Sequence, residues 1–101
     1  MLRFSVNISM LFGEVEWLAR FQRPAAGGFD AVEFLWPRGV DLDDLVKAKE
    51  AAGVTVTLFN VDAGDMPAGE RGFASDPTRR DWWRERFETA ADAGQRTQAV
   101  A

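Results

Sequence analysis

The segment DLDDLVKAKEAAGVTVTLF, residues 41–59, contains a helix followed directly by a strand, and this order decides the fold. Asp41 or Asp43 can cap the start of the helix by accepting hydrogen bonds from its free N–H groups. Gly53 can end the helix in a left-handed conformation. Residues 54–59 are short, apolar and β-branched, which predicts a strand. A helix that leads straight into such a strand is typical of an α/β protein.

The same alternation of strand and helix occurs on both sides of that segment. Residues 2–8 and 29–36 predict two earlier strands, and apolar spacings of three and four predict a helix over 14–26. Pro24 lies inside that helix, where we expect it to kink the helix or end it early. A last helix is predicted after Asp76 and Pro77, with a buried stripe formed by Trp83, Phe87, Ala90 and Ala91. The order βαβαβα favours a parallel sheet with right-handed crossovers.

The composition is that of a small folded domain. The 101 residues are 47% hydrophobic and 28% charged, with eight Phe and four Trp, so we expect a packed core. The net charge of -4 disfavours binding to a nucleic-acid backbone. The absence of Cys and His excludes disulfides, thiolate nucleophiles and a Ser-His triad within this sequence. No apolar run approaches a membrane span. We therefore expect a cytoplasmic protein with no nucleic-acid and no membrane partner.

Polar residues occur at the strand ends where α/β proteins bind ligands. Asn60 follows the third strand, Glu70 and Arg71 lie in the loop after it, and Asn7 could point into a barrel. Glu33 lies among apolar residues of the second strand, where a buried carboxylate is costly unless it is paired or bound to a metal. A structural alternative exists for each residue: a surface loop, an ion pair at Glu33, or the polar face of the first strand at Asn7.

The loop after the third strand also has a glycine spacing that imitates a phosphate-binding loop. Gly64 and Gly69 enclose four residues, as the P-loop glycines do. Glu70 and Arg71 then occupy the positions where a P-loop has Lys and Ser or Thr. Because the carboxylate of Glu70 would repel a phosphate, we set the P-loop interpretation aside.

Three segments together carry a family resemblance: MLRFSVNISMLF (1–12), GFDAVEFLWP (28–37), and Asn60 with AGD (63–65) and AGERG (68–72). They resemble the N-terminal third of hydroxypyruvate isomerases, in the xylose-isomerase-like, or AP-endonuclease-2-like, TIM-barrel superfamily. The resemblance extends over about residues 1–90. The family loop reads Asn-Leu-Pro-Ala-Gly-Asp-Trp, from which the chain departs at Val61, Asp62 and Met66.

The resemblance implies a partial TIM barrel of about three βα units, out of the eight of a complete barrel. Residues 1–93 would be the N-terminal part of an isomerase domain and residues 94–101 an irregular tail. The implied reaction is the reversible isomerisation of hydroxypyruvate and tartronate semialdehyde, with a hydroxy-keto acid as substrate. The family uses a divalent metal of the Mg or Mn type and two glutamates as acid and base, held by its later strands. We therefore expect no catalytic residue and no metal ligand here, and an incomplete, inactive N-terminal portion.

The expected contribution of this chain is to the substrate side of the site. Arg71 could bind the substrate carboxylate, Asn7 and Asn60 could bind its oxygens, and Glu33 and Glu70 could orient those groups. One alternative is another sugar-acid isomerase or epimerase, such as a 2-oxo-tetronate isomerase. Another is a non-catalytic αβ fragment that acts only by association, since three strands leave two unpaired sheet edges through which copies could self-associate.

Overall fold

The computed structural model describes residues 2–99, which form a three-stranded parallel sheet with helices packed on one face. The strands, in chain order and in spatial order, are β1 Val6–Asn7, β2 Ala31–Phe34 and β3 Thr55–Phe59. The α-helices are α1 Gln22–Ala26, α2 Leu42–Ala52 and α3 Arg80–Thr97. Two 3-10 helices, Trp17–Phe21 and Pro77–Arg79, lead directly into α1 and α3. The predicted βαβαβα order is confirmed. No helix in the described range is long and apolar enough to cross a membrane.

Strand β1 is shorter than the predicted strand over residues 2–8. Val6 pairs with Val32 and Asn7 pairs with Glu33. The Ile8 N–H then donates to the Glu33 carbonyl at 3.0 Å. Alternating side chains predict which face a residue occupies, but a strand exists only where its backbone groups have a partner strand. The strand therefore covers only the residues that pair with β2.

The first helical segment is divided at Phe21, before its proline. The 3-10 helix Trp17–Phe21 ends there and α1 begins at Gln22. Pro24 therefore lies in the first turn of α1, where its missing N–H needs no intrahelical acceptor. The helix predicted over 14–26 is thus replaced by two short helices in sequence.

Helix α2 has the ends that its sequence predicts. Asp41 is the N-cap, and its Oδ1 accepts a hydrogen bond from the Asp44 N–H at 3.1 Å. Asp43, the alternative cap, lies in the first turn, where a carboxylate interacts favourably with the helix dipole. Gly53 closes the helix with a φ of 70°. Both ends depend on neighbouring residues alone, which is why the sequence predicts them.

Helix α3 is longer than predicted and buries a different face. Residues 94–97, which were expected to belong to an irregular tail, form its last turn, and Arg96 pairs with Asp43 of α2. The buried residues of α3 are Ala90, Ala93 and Thr97, whereas Phe87 is 49% exposed. The predicted stripe is therefore wrong at Phe87 and Ala91, since both are exposed. Val100 and Ala101, the end of the predicted tail, lie outside the described residues.

The hydrophobic core lies between the sheet and the helices. It is formed by Ile8, Phe21, Val32, Phe34, Leu45, Val54 and Val56. Because successive strand residues point to opposite faces, Ser5, Asn7 and Glu33 lie on the face that the helices leave uncovered. The Ser5 and Thr57 hydroxyl oxygens are 2.7 Å apart although β2 separates their strands. Side chains of alternate strands meet in this way inside a barrel, so the uncovered face corresponds to a barrel interior.

Candidate functional site

A cavity of about 580 Å³ lies at the carboxyl ends of the strands. Ser9 follows β1, residues 35–38 follow β2, and residues 60–67 follow β3. Trp17 and Arg20 of the first 3-10 helix complete its lining. The loops after all three strands thus line one cavity, at the end of the sheet where barrels bind ligands.

Asn7 and Glu33 are neighbours on the uncovered face of the sheet, because they are register partners in β1 and β2. The Asn7 Oδ1 accepts from the N–H groups of Ser9 at 3.0 Å and Met10 at 3.1 Å, so this side chain also holds the turn after β1. Glu33 is partly exposed, and within residues 2–99 it has no ion-pair partner. Glu33 is thus not fully buried within residues 2–99, and its carboxylate lies on the open face of the sheet.

Asn60 lines the cavity, as its place after the third strand suggested. Its N–H donates to the Phe34 carbonyl at 3.3 Å, which extends the pairing of β3 with β2 by one residue. The residue is exposed. Its amide can therefore offer one donor group and one acceptor to a ligand in the cavity.

Glu70 and Arg71 hold the loop after β3 together and are not among the residues that line the cavity. The Glu70 carboxylate accepts from the Asp65 N–H at 3.1 Å and from Arg79 Nη1 at 2.7 Å. The Asp65 N–H, and then Arg79, lower the pKa of Glu70 below its ordinary value. Arg71 Nη1 donates to the carbonyls of Met66 and Glu70, each at 2.7 Å. The structure therefore separates these two residues from Asn60.

Asp62 is a buried charge in the cavity wall, with 9% of its surface exposed. Its Oδ1 accepts from the Gly64 N–H at 2.9 Å. Arg38 Nε is 3.8 Å from Oδ1, and Arg86 Nε is 4.0 Å from Oδ2. The Arg86 guanidinium also lies 4.9 Å from the centre of the Trp82 ring. One carboxylate thus joins the loop after β2, the loop after β3 and helix α3.

Two arginines that the sequence analysis did not select also line the cavity. Arg20 donates from Nη1 to the Ile8 carbonyl at 3.0 Å and from Nε to the Val15 carbonyl at 3.2 Å, so it holds the loop after β1. Arg38 lies in the loop after β2, and its side chain is 54% exposed. Arg38 lies four residues after the end of β2, so its position in the sequence is a weaker signal than that of Asn60, which follows β3 directly.

The residues present do not fit the divalent metal that the family resemblance implies. Within residues 2–99, no group of three or more Asp, Glu, His or Cys side chains could hold a metal ion. A Mg²⁺ or Mn²⁺ site is built from oxygen ligands, carboxylates prominent among them. Glu33 and the acidic residues of the loop after β3 do not form such a group.

Comparison with known proteins finds curated isomerases over most of the chain. It is 47% identical over 85 residues to the hydroxypyruvate isomerase of Escherichia coli, a match to 84% of this chain and 33% of that protein. It is 47% identical over 79 residues to the 2-oxo-tetronate isomerase of Cupriavidus necator, covering 78% of this chain and 30% of that protein. A putative human hydroxypyruvate isomerase is 40% identical over 90 residues, 88% of this chain and 32% of that protein. The chain spans about a third of the length of these relatives. No protein-family model matches the sequence.

Among solved structures, the chain matches the AP endonuclease, family 2, from Brucella melitensis. The TM-score is 0.90 at 36% identity, and the match covers 98% of this chain and 38% of that protein. The superposition extends over all three βα units. The predicted partial TIM-barrel fold is confirmed.

Proposed function

We propose that this chain, a homologue of the hydroxypyruvate isomerases and 2-oxo-tetronate isomerases, forms one wall of an isomerase site for a small hydroxy-keto acid. The observation that carries the proposal is the cavity at the carboxyl ends of β1, β2 and β3. Barrel enzymes bind their substrates at that end, and residues from several strand ends contribute to one site. Three of eight units enclose only part of such a site. The acid, base and metal ligands would come from the other units of a complete barrel.

Asn60 and Asn7 are the proposed ligands of the substrate oxygens. Asn60 lines the cavity and is exposed, which supports a direct hydrogen bond to a hydroxyl or keto oxygen. Asn7 uses its Oδ1 on the turn after β1, which leaves its amide N–H groups as the donors for a ligand. Glu33 lies beside Asn7 in the register, and we propose that its carboxylate orients that amide.

Glu70 and Arg71 enter the proposal as residues of the loop after β3. If Arg71 binds the substrate carboxylate, as the sequence suggested, Arg71→Ala in a complete enzyme should raise KM strongly. The bonds of its Nη1 to the carbonyls of Met66 and Glu70 favour a second role, in which it holds the loop closed. An unchanged KM would leave only that loop-holding role.

When it is bound by a complete enzyme of this family, a divalent metal would polarise the substrate oxygens. In the part of the chain that is described, no ligand group fits it. We propose that the residues of this chain bind and orient the substrate in the cavity, whose lining includes Trp17 and Trp36. We also propose a cytoplasmic location, which fractionation of the source cells with immunoblotting would test.

Fragment complementation tests the proposal. The chain is mixed with the part of the Escherichia coli hydroxypyruvate isomerase that lies outside the matched segment, and conversion of hydroxypyruvate is measured with and without added Mg²⁺ or Mn²⁺. We expect activity that depends on both fragments and on the metal. The same mixture with the corresponding part of the Cupriavidus necator 2-oxo-tetronate isomerase tests that substrate class, which the equal 47% identity supports.

A non-catalytic role by association is the alternative. The support for it is the open sheet, in which β1 and β3 each leave one edge without a partner strand in residues 2–99. Size-exclusion chromatography separates the two ideas. A stable oligomer of the chain that gains no activity with the complementary fragment favours association, whereas a one-to-one complex with activity favours the isomerase.

A further inference from the structure

The cavity is lined by an arginine with unused hydrogen-bonding capacity, Arg38. Two other arginines at this end of the sheet donate to backbone carbonyls. Arg20 donates from Nε and Nη1 to the loop after β1, and Arg71 donates from Nη1 to the loop after β3. The Arg38 side chain has no hydrogen-bond acceptor within residues 2–99; Asp62 lies 3.8 Å from its Nε, and the charge of Arg38 also acts on Glu70 from a greater distance. Its terminal nitrogens are therefore available to a ligand.

Arg38 and Arg86 approach the same carboxylate, that of Asp62. Asp62 faces two guanidinium groups, Arg38 at 3.8 Å and Arg86 at 4.0 Å. Arg86 Nε is buried and has no hydrogen-bond partner in the described residues, so Asp62 is its nearest compensating charge. Asp62 also accepts from the Gly64 N–H, so it is shared among three partners and approaches only Nε of Arg38. A carboxylate that enters the cavity can reach the terminal nitrogens of Arg38.

The lining of the cavity places apolar side chains beside Arg38. Trp36 and Pro37 precede Arg38 and line the cavity with it, and Trp17 lines the same cavity from the first 3-10 helix. The Arg38 side chain is 54% exposed, so solvent screens its charge in part and the contact depends on the geometry of the guanidinium. The carboxylates of the lining are those of Asp62 and Asp65, and the Asp65 Oδ1 accepts from the Ala68 N–H at 3.2 Å.

We infer that Arg38, and not Arg71, binds the carboxylate of the substrate and makes the site selective for hydroxy-keto acids over neutral hydroxy-ketones. The guanidinium fork matches a carboxylate, which it can bind through two parallel N–H···O bonds. This inference rests on the proposed function for the identity of the substrate. The contact between Arg38 and a carboxylate can be tested without catalysis.

The test is a heteronuclear NMR titration of the 101-residue chain with hydroxypyruvate and with hydroxyacetone, which has a methyl group in place of the carboxylate. The signals to follow are the Trp36 indole N–H and the Gly64 backbone N–H, since both residues line the cavity. We expect hydroxypyruvate to bind about tenfold more tightly than hydroxyacetone, the size expected for a charge-assisted pair.

Arg38→Gln should remove that preference, with the two dissociation constants within about twofold of each other. Arg84→Gln is the charge-matched control, because Arg84 is exposed on α3 and is not part of the cavity lining. It should leave the preference intact. If Arg38→Gln does not fold, as judged from its NMR spectrum, Arg38→Lys replaces it and should lose part of the preference, because lysine lacks the planar fork.

Three results would overturn the inference: a wild-type chain that does not prefer hydroxypyruvate, an Arg38→Gln variant that keeps the preference, or an equal loss in Arg84→Gln. Failure of the isomerase proposal is a different result. In that case complementation yields no activity, while the preference for the carboxylate and its loss in Arg38→Gln remain.

Discussion

Replacement of Gly64 by alanine is expected to destabilise the loop that forms one wall of the cavity. Gly64 has a φ of 92°, a conformation that L-residues rarely adopt. A Cβ placed on it would lie 2.6 Å from Phe73 Cε2 and 2.8 Å from Phe73 Cζ. Phe73 cannot easily move away, because its ring packs edge-on against Trp82 at 4.4 Å and beneath the Arg79 guanidinium at 4.3 Å.

The expected cost has two parts. A positive φ costs an alanine about 1–2 kcal/mol relative to glycine. Overpacking against a ring held on both sides adds about 1–3 kcal/mol. Gly64→Ala should therefore lower the free energy of unfolding by about 2–5 kcal/mol. Gly69→Ala is the matched control, because Gly69 has a φ of 100° but no atom within 4 Å of its Cβ position. Gly69→Ala should therefore lose only the free energy that a positive φ costs an alanine, about 1–2 kcal/mol.

Urea unfolding followed by tryptophan fluorescence and circular dichroism measures both variants. For a small domain, a loss of this size lowers the midpoint by about 1–2 M for Gly64→Ala. Phe73→Leu shortens the obstructing ring, so in the Gly64→Ala background it should cost less than in the wild type. If Gly64→Ala and Gly69→Ala lose the same stability, the contact between Gly64 and Phe73 does not constrain the loop and the reasoning fails.

Three further predictions concern other contacts that shape the site. Asp41→Ala removes the N-cap of α2 and should cost about 1 kcal/mol in urea unfolding; no loss would contradict the capping role. Arg20→Gln should speed amide hydrogen exchange in residues 8–15, because Arg20 bonds to carbonyls at both ends of that loop, whereas Arg23→Gln, on the exposed side of α1, should not. The lowered pKa of Glu70 means that its contribution to stability is present above the pKa of the unfolded chain and is lost as the pH falls through the folded value. Stability should therefore fall less in Glu70→Gln than in the wild type between about pH 5 and pH 3, and equal losses would contradict the contacts of Glu70 with Asp65 and Arg79.

The fold was predictable from the sequence where its signals are local. Asp41 and Gly53 mark the ends of α2, and the proline near the start of α1 forced the division of the first helix. The buried face of α3 was not predictable in the same way. Trp82 and Trp83 are adjacent near the start of α3, so the sequence is compatible with two different buried faces of the helix. The face that is buried in the structure includes part of Arg86. A charged residue is not expected on the buried face of a helix. Only the structure shows that Arg86 lies there beside Asp62, a residue of the loop after β3.

The candidate site was also predictable only where its signals are local. Asn60 was predicted to face a ligand because it follows a strand directly, and it lines the cavity. Arg38 lies in the loop after β2, but its significance depends on which other arginines bond to the backbone. The bonds of Arg20 and Arg71 lie within the connections after β1 and β3, and the spacing of residues along the chain does not show which carbonyl each arginine binds. Sequence alone therefore predicted the end of the sheet at which the candidate site lies, but not which arginine side chain lacks a hydrogen-bond acceptor.

The most direct test of the central claim is a chimeric enzyme. The segment of the Escherichia coli hydroxypyruvate isomerase that matches this chain is replaced by the corresponding residues of this chain, and kcat/KM for hydroxypyruvate is measured on the folded protein. We expect an active isomerase in which Asn60→Ala lowers kcat/KM. A chimera that folds as a barrel by circular dichroism and binds its metal, yet does not convert hydroxypyruvate, would contradict the claim that these residues form a wall of that active site.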